Sequence, residues 1–222
     1  MVHALLSLGD SLSEGRGDVA SDGTLRGWVR RLREAAVVPV VMNDLTCRSA
    51  DARDVLTGQM GRLSGPRPGL ITLSVGVNDA CGAFTAALFR RTVDRLLAVL
   101  RDRVAAPHTS LLVCAPPDIS RVLRSVDPAL LPVVGERVAL AAAVVAELAT
   151  AHGAHLVDAW SMSRDWPAQM WAADHLHPGP EGHRRIAAEA RRLLVAAGHP
   201  WFAEVTTAEP VQLSIQGGRQ DP

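Results

Sequence analysis

Short runs of apolar and β-branched residues constrain this chain more than any other feature. They are Leu5-Leu6-Ser7-Leu8, Val37 to Val41, Leu70 to Val75, Leu111 to Ala115 and His155 to Val157. Each is too short for an ordinary helix and reads as a strand. Between them lie stretches with helical periodicity. Leu25, Trp28, Val29 and Leu32 fall on one helical face with arginines opposite. Further helices are expected over Ala50–Gln59, Phe84–Val104 and Val133–Ala151, and a last one opens near Pro180 and runs to Ala197, with Gly198 as its stop. Strands alternating with helices of this length imply crossover connections and a parallel sheet covered on both faces. Pro39 cannot donate to a ladder, so its strand is expected at an edge.

At 222 residues the chain is long enough for one domain with a full core, expected over residues 1–200. Residues 201–222 are expected as a tail, either a packed strap or partly disordered. Charged residues are 21% of the chain and sum to zero, which leaves no basic field for nucleic acid or an anionic membrane. No apolar run is read as long enough to span a bilayer. Cys47, Cys81 and Cys114 are odd in number and widely spaced, fitting neither a disulfide framework nor a zinc pattern. They are expected as buried or half-buried free thiols in a reducing compartment. The first strand begins almost at the N-terminus, with no secretory pattern ahead of it, so a cytoplasmic location is expected.

Three small motifs carry chemistry. Gly9-Asp10-Ser11 follows the first strand, with Gly15 four residues after the serine. A serine just past the carboxyl end of a parallel strand is exposed on rigid backbone, as a nucleophile must be. Asp and Ser there are, more commonly, turn or capping residues. Gly76-Val77-Asn78-Asp79 follows the third strand, and Asp174-His175-Leu176-His177 sits in a late loop. Together they supply a hydroxyl, an amide donor, and an imidazole with a carboxylate. Asp174, His175 and His177 could share a metal, but no further ligand cluster accompanies them.

In these blocks, with their order and spacing, the chain resembles the SGNH hydrolases, the GDSL esterase/lipase family, from Leu5 to Ala197. The resemblance implies a flavodoxin-like three-layer α/β/α sandwich around a five-stranded parallel sheet. It also implies Ser11 as nucleophile, His177 as general base and Asp174 as the carboxylate orienting the imidazole. Asn78 and the backbone N–H of Ser11 become oxyanion donors. Asp79 is expected to brace its loop, and His175 to be an exposed bystander.

One block departs from the family. A glycine normally supplies the remaining oxyanion N–H, after a run like Asn-Leu-Ala-Val-Arg-Gly. Here the aligned stretch is Asp44-Leu45-Thr46-Cys47-Arg48-Ser49. Ser49 keeps the N–H but resists positive φ. Cys47 is read as buried at a strand end, not as a nucleophile. The expected activity is hydrolysis of a small acyl ester or thioester, with no cofactor, no metal, no nucleic acid and no membrane span. Acyl transfer to an alcohol or amine uses the same triad and is the alternative. A binding module silenced through Ser49 is a third reading. Oligomeric state is not legible in the sequence.

Overall fold

The apolar runs become the five strands of one parallel sheet in the computed structural model, which describes residues 3–202. They are β1 His3–Gly9, β2 Val40–Asp44, β3 Leu70–Ser74, β4 Ser110–Cys114 and β5 His155–Val157, ordered β2-β1-β3-β4-β5. Every residue of β3 is buried, as a central strand covered on both faces requires. Strand β2 alternates between half-buried and exposed, consistent with its place at the edge. Register pairs His3 with Val40, Leu5 with Leu70 and Leu70 with Ser110.

The strands' alternating side chains divide the core in two. On one face Leu5, Leu70 and Leu112 meet α2 (Gly27–Glu34) and the last helix, α8 (Pro180–Ala196). Trp28, Val29 and Leu32 of α2 are fully buried there. The short α1 (Ser11–Glu14) precedes α2, and between α2 and α8 come α3 (Ala52–Asp54), α4 (Val77–Cys81), α5 (Ala86–Val99), α6 (Leu131–Ala151) and α7 (Ala159–Ser163). On the second face Leu6, Leu8, Ile71 and Leu73 pack with α3, α5 and α6. The result is a three-layer α/β/α sandwich.

The chain leaves β1 toward one edge to form β2, then returns to place β3 on the other side of β1. At such a reversal the connections diverge and leave a crevice beyond the strands' carboxyl ends. The segments after β1 and β3 therefore flank one site, and these are the Gly9-Asp10-Ser11 and Gly76-Val77-Asn78-Asp79 motifs. Gly9 is held at φ 122°, where a Cβ would lie 2.2 Å from the Ser74 carbonyl oxygen. Only glycine lets the chain turn that closely to its neighbour.

Several sequence expectations need correction. The second strand runs from Val40, not Val37, because His3 pairs with Val40 and the Val37 N–H is taken by the Trp201 carbonyl. The helix expected over residues 50–59 is a three-residue α-turn followed by a π-helical turn at Val55–Gln59 and a 3₁₀ turn at Met60–Arg62. The helix expected over 84–104 begins at Ala86 and widens into a π-turn at Leu100–Val104. Cys47 and Cys81 are exposed, and only Cys114 is buried. Cys47 lies in the loop beyond the edge strand, in the exposed run Cys47-Arg48-Ser49. Pro128–Ala151 is long and apolar enough to cross a membrane by length and composition. In the fold its Val138, Ala141, Val145 and Leu148 are buried against the core. Trp201 and Phe202 of the expected tail are packed, with the Trp201 indole N–H donating to His3 Nδ1 at 3.1 Å. Residues 203–222 lie outside the described residues.

Candidate active site

Ser11 opens α1, directly after Asp10, whose carboxylate accepts from the Leu12 N–H at 3.0 Å and caps the turn. Asp10 is buried and also accepts from the Ser74 hydroxyl at 3.1 Å, while Ser74 and Ser13 share a 2.7 Å hydrogen bond. This chain of polar groups pins the serine-bearing turn to the end of β3. Burial pushes the Asp10 carboxyl up to about 7, against the opposing pull of the Leu12 and Ser74 hydrogen bonds.

The late loop folds back on itself through a bridge between Trp171 and Pro178 and a hydrogen bond from the Ala172 N–H to the His177 carbonyl at 2.8 Å. Within it, one oxygen of Asp174 accepts from the Leu176 and His177 N–H groups, both at 3.0 Å. The other oxygen lies 2.6 Å from His177 Nδ1. Partial burial opposes the charged form of Asp174. The His177 N–H and ring and the Leu176 N–H outweigh it and hold the carboxyl below its usual range.

Across the crevice, His177 Nε2 lies 2.8 Å from Ser11 Oγ. An ionised carboxylate only accepts, so Nδ1 carries the proton and Nε2 is free to accept from the serine hydroxyl. The structure thus joins Ser11, His177 and Asp174 in one line, although 162 residues of sequence separate Ser11 from Asp174. His175, between them in the motif, takes φ 53° and is exposed. Among the described residues, no group of His, Cys, Asp and Glu is placed to hold a metal ion.

The donor side is built from two loops held to each other. The Asn78 amide donates to the Ala50 carbonyl at 3.0 Å, using one of its two hydrogens. Asp79 accepts from the Ala52 N–H at 3.1 and 3.2 Å, which braces α4 against the loop carrying Ser49. Burial raises Asp79 to about 6; the Ala52 N–H works against this and the nearby Asp51 charge adds to it. Ser49 is exposed and sits at φ 65°, in the left-handed region that favours glycine. Serine here adopts the backbone it intrinsically resists, at a cost of about 1 kcal/mol. Among the described residues the N–H groups of Ser11 and Ser49 have no hydrogen-bond partner. A groove of about 440 Å³ opens beside Asn78, with Leu56, Phe84, Leu88 and Arg95 in its walls. A smaller cavity of about 200 Å³, lined by Ala4, Val41 and Pro66, has none of these residues in its walls and lies toward the strands' amino ends.

One buried residue escaped the sequence reading. His183, on the first turn of α8, is fully buried, and burial lowers its pKa to about 4. It is in phase with Ile186, Ala187, Ala190 and Leu194 on the buried face of that helix, and that periodicity could have revealed it.

The profile of the GDSL-like lipase/acylhydrolase family matches residues 7–185. No curated protein matches the sequence. Solved structures do match. A lipase/acylhydrolase from Enterococcus faecalis is 16% identical, with 88% of this chain and 97% of that one covered at a TM-score of 0.67. A lipolytic protein of the G-D-S-L family from Veillonella parvula is 17% identical, covering 86% and 97% at 0.66. An acetylxylan esterase from Geobacillus stearothermophilus is 17% identical, covering 91% and 97% at 0.65. At these identities the likeness is one of fold.

Proposed function

The chain belongs to the GDSL-like lipase/acylhydrolase family and is a lipase/esterase-type hydrolase; on that premise we propose that it cleaves a carboxylic ester or thioester through an acyl-enzyme on Ser11. The observation that carries this reading is the 2.8 Å contact of Ser11 Oγ with His177 Nε2, in line with the 2.6 Å contact of His177 Nδ1 with Asp174. His177 takes the hydroxyl proton as Ser11 attacks the acyl carbonyl, and returns it to the leaving alcohol or thiol. Asp174 holds the ring in the productive tautomer and stabilises the imidazolium. The N–H groups of Ser11 and Ser49 and the second amide hydrogen of Asn78 bind the oxyanion as charge develops. Water activated by His177 then releases the acid. The groove beside Asn78 has room for the acyl group.

An ester series of increasing acyl length, run on the wild-type protein and on Ser11→Ala, tests this. The expected result is hydrolysis by the wild type and a loss of about four orders of magnitude in kcat for the variant. Undiminished hydrolysis by Ser11→Ala would contradict it.

A further inference from the structure

We propose that His183 is a positioning residue that sets the separation between Ser11 and His177, an inference that rests on those two being the reacting pair. Its ring joins three segments: the turn after Ser11, the start of α2 and the first turn of α8. Nε2 donates to the Arg16 carbonyl at 2.7 Å, and Nδ1 accepts from the Trp28 N–H at 3.2 Å. The first bond requires a proton on Nε2 and the second forbids one on Nδ1, so the two bonds fix a neutral ring in one tautomer. Asp18, Arg31 and His177 are the charged or titratable groups that bear on it, and Asp18 and Arg31 neutralise each other in a bidentate pair at 2.6 and 2.9 Å.

Arg16 belongs to the nucleophile's own turn, since its N–H donates to the Ser11 carbonyl at 3.0 Å. His183 belongs to the base's side, six residues past His177 and continuous with it through Pro178 and the start of α8. The two sides are already in backbone contact between these points. A Cβ on Gly17 would lie 2.1 Å from the Pro178 carbonyl oxygen and 3.2 Å from His177 Cβ. Gly17 therefore sets how closely the turn and the loop can approach, and the His183–Arg16 bond draws them together. A hydroxyl-to-imidazole distance is the quantity such a pair of constraints controls, and small errors in it cost rate far more than binding.

Two substitutions separate the halves of the clamp. His183→Gln keeps an N–H near the Nε2 position and retains the bond to Arg16. His183→Asn keeps an acceptor near Nδ1 and retains only the bond to Trp28. Both should lower the melting temperature by similar amounts. kcat for His183→Asn should fall about thirtyfold with KM unchanged, while His183→Gln stays within about fivefold of wild type. A kcat that follows melting temperature alike in both variants, or a worse loss in His183→Gln, would overturn the proposal. A reading on the unsubstituted protein covers the case in which a variant does not fold. With ¹⁵N-labelled histidine, phosphonylating Ser11 should shift the His183 ring resonances and leave those of His199 in place. His199 is buried at the far end of the sheet against Gly69 and Trp201. An unmoved His183 would overturn the proposal. A failure of the catalytic reading itself is distinct, because it would show as activity persisting in Ser11→Ala.

Discussion

The two sides of the crevice are built to different standards. On the side of Ser11, Asp174 and His177, each side chain or the turn that carries it is fixed by hydrogen bonds to backbone or buried side chains. Ser11 rides a turn capped by Asp10 and tied through Ser74 and Ser13 to a central strand. On the donor side, Ser49 is an exposed residue in a strained conformation, and its loop is held by Asn78 and Asp79 reaching across from α4. Proton transfer demands a fixed geometry, whereas oxyanion donors only need N–H groups aimed at the right point. Under the proposed mechanism, that difference lets a serine stand in the glycine position.

The largest expected effect tests the rigid side. His177→Ala should cost nearly as much kcat as Ser11→Ala, about four orders of magnitude, and the double variant should be scarcely worse than either. Losses that multiply would mean the two do not act as a unit.

Asn78→Ala comes next, because it removes both the proposed oxyanion donor and the tether to Ala50. A fall in kcat of about a hundredfold with KM little changed is expected from steady-state kinetics. If KM rises and kcat holds, Asn78 binds the ground state and the two sides of the crevice are not divided as described.

A smaller effect follows from the buried Asp10. Burial raises its folded pKa to about 7, above the ordinary carboxylate range, so the folded state binds this proton more tightly than the unfolded chain. The stability it contributes is complete below about pH 4 and is lost as pH rises through about 7. Asp10→Asn keeps an acceptor for Leu12 and Ser74 without the charge. Thermal melts should place it on the order of 5 °C above wild type at pH 8, with the gap closing by pH 4. A gap that widens toward acid would reverse the sign and remove the case for a strained carboxylate under the nucleophile.

The smallest effects belong to Ser49 and His175, the two non-glycine residues with positive φ among the described residues. Ser49→Gly relieves the left-handed strain and should raise the melting temperature by about 2–4 °C, with kcat within about threefold. Proline there would be uninformative, since its φ near −65° cannot match 65° and the loop itself would move. His175→Ala should leave kcat within about threefold. A dead His175→Ala would move the base away from His177.

Much of this was legible in the sequence where one physical rule dominates. Runs such as Leu70 to Val75 are apolar throughout because both faces are covered, and β5 was read at its observed bounds. That Ser11, Asp174 and His177 would meet was legible through the family resemblance, which rests on motif blocks in a fixed order and spacing. Less legible was anything decided by long-range pairing. Register with β1 moves the start of β2 to Val40 and extends it through Asn43 and Asp44, polar residues that an edge strand tolerates. The exposure of Cys47 depends on how its loop leaves the edge strand, with Leu45 turned into the core and Cys47 out of it. His183 looks like a surface residue next to a glycine until its phase with Ile186 and Ala190 is noticed. The positive φ of Ser49 was visible only as a tension between a serine and the position it occupies.

The most direct test of the central claim is intact mass after exposure to a fluorophosphonate, on wild type, Ser11→Ala and His177→Ala. The account predicts one adduct per wild-type chain, mapped by peptide mass to Ser11, none on Ser11→Ala, and labelling slowed by at least about a hundredfold on His177→Ala. An adduct that persists on Ser11→Ala, or full-speed labelling without His177, would contradict it.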